Sequence, residues 1–177
     1  TSKRTAYHKY TFKEGDTQSV VINLGFAINW DKSIETFLKV EDEHTISGYR
    51  YSTGWAKNQK VFFVAKFSKP IVNYKLYADG NTTDKDLVKG IKTSTQLFFD
   101  GAKNKELLAK VALSSVSVEN AKDNLDAKEE TFETTKSEAE TLWNSALSQI
   151  VVETPTDSLK TIFYTALYHA QLAPVTF

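Results

Sequence analysis

Glycine stops at Gly101. All seven glycines of this 177-residue chain lie between Gly15 and Gly101, and none follows. Glycine supplies the left-handed backbone of tight turns and is disfavoured inside helices. The aromatic residues divide the same way, with 16 of 22 in the first 100 residues. A turn-rich, aromatic stretch followed by a glycine-free, Ala- and Glu-rich one reads as strands and then helices. The predicted fold class is therefore α+β: an antiparallel β-sandwich followed by C-terminal α-helices, with the boundary near Ser117.

The first part breaks into short alternating runs between turn signals. They are Ala6–Phe12, Ser19–Leu24, Glu35–Val40, Thr45–Tyr51, Lys60–Lys69, Ile71–Tyr77, Thr95–Phe99 and Leu108–Val116. In Lys60–Lys69 the alternation sets Val61, Phe63, Ala65 and Phe67 toward the core, with Phe62 and Val64 on the other face. Both faces then read as buried, as in an interior strand of stacked sheets. Glu14-Gly15-Asp16 reads as a turn. Asp79-Gly80-Asn81 and Asp100-Gly101 supply the left-handed turns that hairpins need. Eight such strands in under 120 residues predict an antiparallel sandwich or a piece of one.

The second part changes to helical period. Ser117 can cap a short helix through Val118, Ala121, Asn124 and Leu125. A longer helix carries Phe132, Ala139, Trp143, Ala146, Leu147 and Ile150 on one face. After Thr154-Pro155, Asp157 is placed to cap a third helix, with the stripe Leu159, Ile162, Phe163, Ala166, Leu167 and Ala170, ending at Pro174. That stripe needs cover.

Lys+Arg and Asp+Glu are both 22. Val118–Glu153 carries nine acids and three bases, a net of −6, so Thr1–Ser117 carries the compensating +6. With no overall excess of positive charge to neutralise phosphates, a dedicated nucleic-acid partner is excluded. Cysteine is absent, which removes disulfides, thiol nucleophiles and thiolate zinc sites. No apolar run approaches the roughly 20 residues of a membrane span, and the opening Thr1-Ser2-Lys3-Arg4 is not that of a signal peptide.

Residue patterns that carry chemistry are sparse. His8, His44 and His169 are too scattered for a metal set, and no phosphate loop, GxSxG or HExxH is present. Glu41-Asp42-Glu43 reads as a solvated turn rather than a catalytic pair. Glu129-Glu130 reads as a charged helix start. Asn81-Thr82-Thr83 matches a glycosylation sequon, which matters only in a eukaryotic secretory context. Trp55, in Gly54-Trp55-Ala56, offers an aromatic face to a sugar or partner, or folds back over the sandwich edge. Trp30, in Asn29-Trp30-Asp31, has the same two readings. His169 follows Tyr164 and Tyr168 beside the stripe of the third helix, where a histidine is either a satisfied structural group or a site residue.

Several segments together carry a resemblance. They are Tyr7-His8-Lys9-Tyr10-Thr11-Phe12; Ile46-Ser47-Gly48-Tyr49-Arg50 with Gly54-Trp55-Ala56; Val61-Phe62-Phe63 with Phe67-Ser68; and Lys110 to Ser117 with Glu119-Asn120-Ala121. Trp143, Leu147 and Ile150 follow, then Leu159 to His169 and Leu172-Ala173-Pro174. In this order and spacing they resemble glycoside hydrolase family 92, calcium-dependent exo-acting α-mannosidases. Lys9 and Lys13 stand where that family more often has Arg and Pro.

The resemblance implies a β-sandwich joined by helices to an (α/α)6 catalytic barrel, with the active site between them. It implies 1–117 as part of the sandwich, 118–153 as linker helices and 154–177 as the first, truncated barrel helix. The implied reaction is inverting hydrolysis of terminal α-mannosides of glycans, in a periplasmic or extracellular bacterial enzyme. The acid and base carboxylates and most calcium ligands lie beyond these residues in the family. The chain thus reads as a fragment without catalytic or metal-binding residues of its own. Its partners would be a mannose-containing glycan and the rest of its catalytic domain, and the substrate contacts would be Trp55, Tyr168 and His169. The competing readings are a non-catalytic carbohydrate-binding sandwich and a structural interaction domain docking through its third helix.

Overall fold

The computed structural model describes residues 1–101, 105–127 and 131–172. Ten strands come first: β1 (Thr5–Thr11), β2 (Gln18–Asn23), β3 (Lys32–Val40), β4 (Thr45–Thr53), β5 (Gln59–Phe67), β6 (Ile71–Ala78), β7 (Asn81–Thr83), β8 (Leu87–Gly90), β9 (Thr93–Phe99) and β10 (Glu106–Ser114). Helices α1 (Val118–Asp126), α2 (Phe132–Leu147) and α3 (Asp157–Gln171) follow. Strands then helices is the order the glycine distribution predicts. The eight expected strands are all present. The two additional ones, β7 and β8, are three and four residues long, too short for an alternating pattern to show.

Every pairing is antiparallel, in a six-stranded sheet β1-β10-β5-β4-β3-β8 and a four-stranded sheet β2-β9-β6-β7. Their inner faces share one core of Leu38, Ile46, Phe63, Phe67, Leu76, Leu97, Phe99 and Leu107. Gly48 is required here: a Cβ at that position would meet the Phe63 ring at 2.7 Å and collide with the Phe37 carbonyl oxygen. The β6–β7 hairpin turns on Asp79 and Gly80 with φ of 50° and 88°, as its sequence predicts. Gly101 does not adopt that conformation, because β9 and β10 lie in different sheets and no hairpin joins them.

Strand β5 is covered on both faces, but not by two sheets. Phe63, Ala65 and Phe67 enter the sandwich. Val64, with Ala112 of β10, lies under Ala121 and Leu125 of α1. Phe62 packs among Tyr49 and Tyr51. Val61 does not reach the core and is 37% exposed, like Leu113 at 50%. The nine-residue β5 and β10 outrun the six- to eight-residue β2, β9 and β6, leaving these two inward-facing side chains beyond the opposite sheet.

Helix α1 is fastened to the sheet by polar bonds as well. The Ser117 hydroxyl caps it by accepting from the Asn120 N–H at 3.1 Å. Ser114 donates to Asn120 Oδ1 at 2.9 Å, and Asn124 Nδ2 donates to the Leu113 carbonyl at 2.9 Å. At the other end the Lys110 ammonium donates to the Leu125 carbonyl at 2.7 Å, satisfying a terminal helix acceptor. The fourth tie runs through Glu41, so the acidic turn is not solvated throughout. Glu43 is open to water, whereas the Glu41 side chain is 18% exposed and accepts from Lys39 at 2.7 Å and Ser47 at 2.6 Å, with Lys122 of α1 at 3.7 Å.

The chain divides into two compact units, Thr1–Phe132 and Glu133–Phe177, and α1 belongs to the first. In the second unit Thr156, not Asp157, caps α3, its hydroxyl accepting from the Leu159 N–H at 3.4 Å. Asp157 instead occupies the first turn, where a carboxylate favours the helix dipole. The expected stop at Pro174 and the Glu129-Glu130 pair lie outside the described residues. No residue of α3 is buried, and Leu159 and Ile162 are 49% and 61% exposed.

Two outcomes follow. Burial pushes the Glu41 carboxyl up, but the hydrogen bonds from Lys39 and Ser47 and the nearby ammonium charges win and hold it below the usual carboxylate value. Its contribution is complete above the unfolded-state pKa of about 4.3 and is lost as pH falls through the lower native value. Glu41→Gln should cost about 1–3 kcal/mol in urea unfolding at pH 7, with the difference from the parent chain shrinking in acid. A pH-independent difference would contradict this. Separately, the open stripe of α3 should drive self-association of the 177-residue chain, read as concentration-dependent sedimentation that Leu159→Ser/Ile162→Ser abolishes.

Candidate functional site

Two loops at one end of the sandwich carry the exposed tryptophans. The β2–β3 loop bends through Asn29, whose φ of 56° is a conformation Asn tolerates, and the Asp31 N–H closes the turn on the Ile28 carbonyl at 3.2 Å. The β4–β5 loop is held by the Gly54 N–H on the Ala56 carbonyl at 3.1 Å. The loops meet: the Trp30 and Trp55 ring centroids are 5.5 Å apart at 59°. Trp55 is 91% exposed, so it does not fold back over the edge. Trp30, Phe26 and Ile28 are also largely exposed, which makes this an apolar surface beyond the scatter of single residues normal on a monomer.

An ion pair fixes these loops. Arg50 of β4 donates to the Asp31 carboxylate beside Trp30, with side chains 24% and 29% exposed. Sequence reasoning missed this pair. The available signal was an arginine at a strand position whose alternation with Ile46 and Gly48 points inward.

In the second unit Tyr168 and His169 are adjacent on α3, ring centroids 5.7 Å apart, and both are exposed. Tyr168 stacks edge-on against Trp143 of α2 at 4.6 Å. Tyr164 donates its hydroxyl to the Ile150 carbonyl at 3.0 Å. Trp55 belongs to the other unit. His8 stacks on Tyr10, and His44 donates from Nδ1 to the Phe67 carbonyl at 2.9 Å, so each has a local structural role.

Acid catalysis needs a carboxyl raised toward neutrality, and four carboxylates of this chain are moved the other way. Glu35, Glu41, Asp42 and Glu119 are all held below the ordinary value. For Glu35 the cause is the hydrogen bond from Lys89, then that from Tyr49. For Asp42, burial is outweighed by bonds from the His44 backbone and from Thr45. For Glu119 the cause is its own N–H, then the Ser117 hydroxyl. Among the described residues no three His, Cys, Asp or Glu side chains are grouped to hold a metal. No helix among the described residues is long and apolar enough to cross a membrane.

The order of sandwich and then helices is also the order in which two family models match along the chain. The model of the glycosyl hydrolase family 92 N-terminal domain matches residues 1–114, and that of the family's catalytic domain matches residues 120–177. The chain belongs to glycosyl hydrolase family 92. It is similar over 100% of its length to the family GH92 alpha-mannosidase BT3965 from Bacteroides thetaiotaomicron, with 26% identity and a TM-score of 0.88, covering 25% of that chain. The same mannosidase in complex with mannoimidazole matches with a TM-score of 0.87, 26% identity and coverage of 100% and 24%. The family GH92 inverting mannosidase BT2199 from Bacteroides thetaiotaomicron VPI-5482 matches 94% of this chain and 22% of its own, at 25% identity and a TM-score of 0.79. The chain thus spans about a quarter of the length of these solved structures. No curated protein matches.

One outcome tests the ion pair. In a Trp143→Phe background, Asp31→Asn should cost about 1–3 kcal/mol and change acrylamide quenching of the Trp30–Trp55 emission. Unchanged quenching would show that the pair does not hold the loops.

Proposed function

We propose that this chain is the sandwich (1–117), linker helices (118–153) and first barrel helix (154–177) of an exo-acting, inverting α-mannosidase that removes terminal α-linked mannose from glycans. The observation that carries this reading is the succession of the two family matches, N-terminal domain and then catalytic domain, along one chain. The mannosidases similar to it over 94–100% of its length support the substrate class.

Inversion requires one carboxylic acid to protonate the leaving oxygen and a second carboxylate to activate water on the opposite face, about 6.5–9.5 Å away. This reading assigns both carboxylates to the rest of a longer protein, together with its calcium ligands. This chain would contribute sugar contacts. Trp55 presents an open ring to the apolar face of a pyranose, and Tyr168 and His169 offer a hydroxyl and an imidazole. The proposed location is periplasmic or extracellular, where polymeric glycans are met. The second reading, a non-catalytic carbohydrate-binding sandwich, draws on the exposure of Trp55 alone.

The test is release of mannose from an aryl α-mannoside. The 177-residue chain should show none above a blank. A longer protein containing the rest of the barrel should release mannose with inverted anomeric configuration and lose activity on calcium chelation. In that protein Trp55→Ala should raise KM for a disaccharide more than for the aryl mannoside. Turnover by the 177-residue chain, or retention of configuration by the longer one, would overturn the reading.

A further inference from the structure

The sandwich has two outer sheet faces, and their chemistry differs. On the six-stranded sheet the outward positions include Lys39, Lys60, Lys66, Lys89, Lys110 and Glu35, and α1 lies over Val64 and Ala112. Charge on a water-facing strand is the usual arrangement. The four-stranded sheet departs from it. Val20 and Ile22 of β2 turn inward, as do Thr95 and Leu97 of β9 and Tyr74 and Leu76 of β6. The register then places three rows outward: Ser19–Phe98–Asn73, Val21–Gln96–Lys75 and Asn23–Ser94–Tyr77. None of these positions is acidic and only Lys75 is charged.

Three amides on this face each have one end held by a hydrogen bond. Asn73 Oδ1 accepts from the Tyr74 N–H at 2.8 Å, and Asn23 Oδ1 accepts from the Gly25 N–H at 2.9 Å. A backbone N–H can only donate, so each amide must present its NH2 to solvent. Gln96 Nε2 donates to Ser19 Oγ at 3.4 Å, so its carbonyl oxygen remains an acceptor. Phe98 and Tyr77 remain half-buried on adjacent strands and two rows apart, about 14 Å by strand spacing and rise.

From this geometry we infer a glycan-binding surface on the outer face of the four-stranded sheet, separate from the tryptophan loops. A pyranose has an apolar C–H face that stacks on an aromatic ring and a hydroxyl edge that takes amide donors and acceptors. Phe98 and Tyr77 supply rings at the two ends, and Asn23, Asn73 and Gln96 supply oriented amides along the path. Held side chains lose little freedom on binding. A nucleic acid would need many cations where one stands, and a protein partner would need a continuous apolar centre. Absence of carboxylates and a single ammonium suit an uncharged sugar chain. The identity of that chain as α-mannan rests on the function proposed above.

The test is electrophoresis of the 177-residue chain through gels containing soluble α-mannan, with an α-glucan gel as control. The parent chain should be retarded by mannan, with Trp55→Ala run beside it to report on the tryptophan loops. Phe98→Ala/Tyr77→Ala should weaken retardation about tenfold or more. Since Phe98 is half-buried, Asn73→Ala/Gln96→Ala serves as a second variant that leaves the core untouched and should weaken it as well. An unretarded parent chain, retardation lost only in Trp55→Ala, retardation kept by the amide variant, or retardation by glucan alone each overturns the inference. Mannose release from an aryl mannoside by the longer protein reports on the other reading. Release without gel retardation sinks this surface only; retardation without release sinks the catalytic assignment only.

Discussion

Strands β5 and β10 lie side by side, and both must be covered twice. Ala65 and Ala109 enter the sandwich core, while Val64 and Ala112 lie beneath α1. Ala112 and Val64 are small enough to let a helix approach this outer face closely. Four polar ties, through Asn120, Asn124, Leu125 and Lys122, then fix the helix over them. The rest of the first unit follows from this double cover. The remaining outer area of the six-stranded sheet is left to charge and to the aromatic group around Tyr49. The four-stranded sheet has no α1 over its outer face.

That arrangement explains which parts of the fold were legible in sequence. The alternation in Lys60–Lys69 correctly indicated a strand with two buried faces. It could not distinguish a second sheet from a helix as the cover, because Val64 satisfies either. Val61 matched the inward pattern and still failed to reach the core, since strand length relative to the opposite sheet is a long-range property. The β7 and β8 strands escaped notice for lack of residues, and Asp100-Gly101 looked like a hairpin although its flanking strands belong to different sheets. The helices were clearer: Ser117 announced its cap, whereas Thr156 and Asp157 are both capable residues and the chain used the first.

The site was legible in composition but not in geometry. Trp55 and Trp30 stood out as loop aromatics, yet only three dimensions bring their rings together and put Asp31 against Arg50. Glu41 was read as part of a solvated turn because its neighbours Asp42 and Glu43 are acidic. Its partners Ser47 and Lys122 come from β4 and α1, and no local pattern links them.

The pairing of β1 with β10 bears on how the first unit responds to tension. The two strands run antiparallel, with Thr5 opposite Ala112 and Thr11 opposite Glu106. The beginning of β1 and the end of β10 therefore sit together. A pull applied at those two points loads the ladder from one end and opens its bonds one after another, like a zipper. A shear geometry would load all of them at once. β1 is also an edge strand, bonded to β10 alone. Stretched in this direction, the unit should yield at low force by shedding β1, while β5 stays clasped between its neighbours.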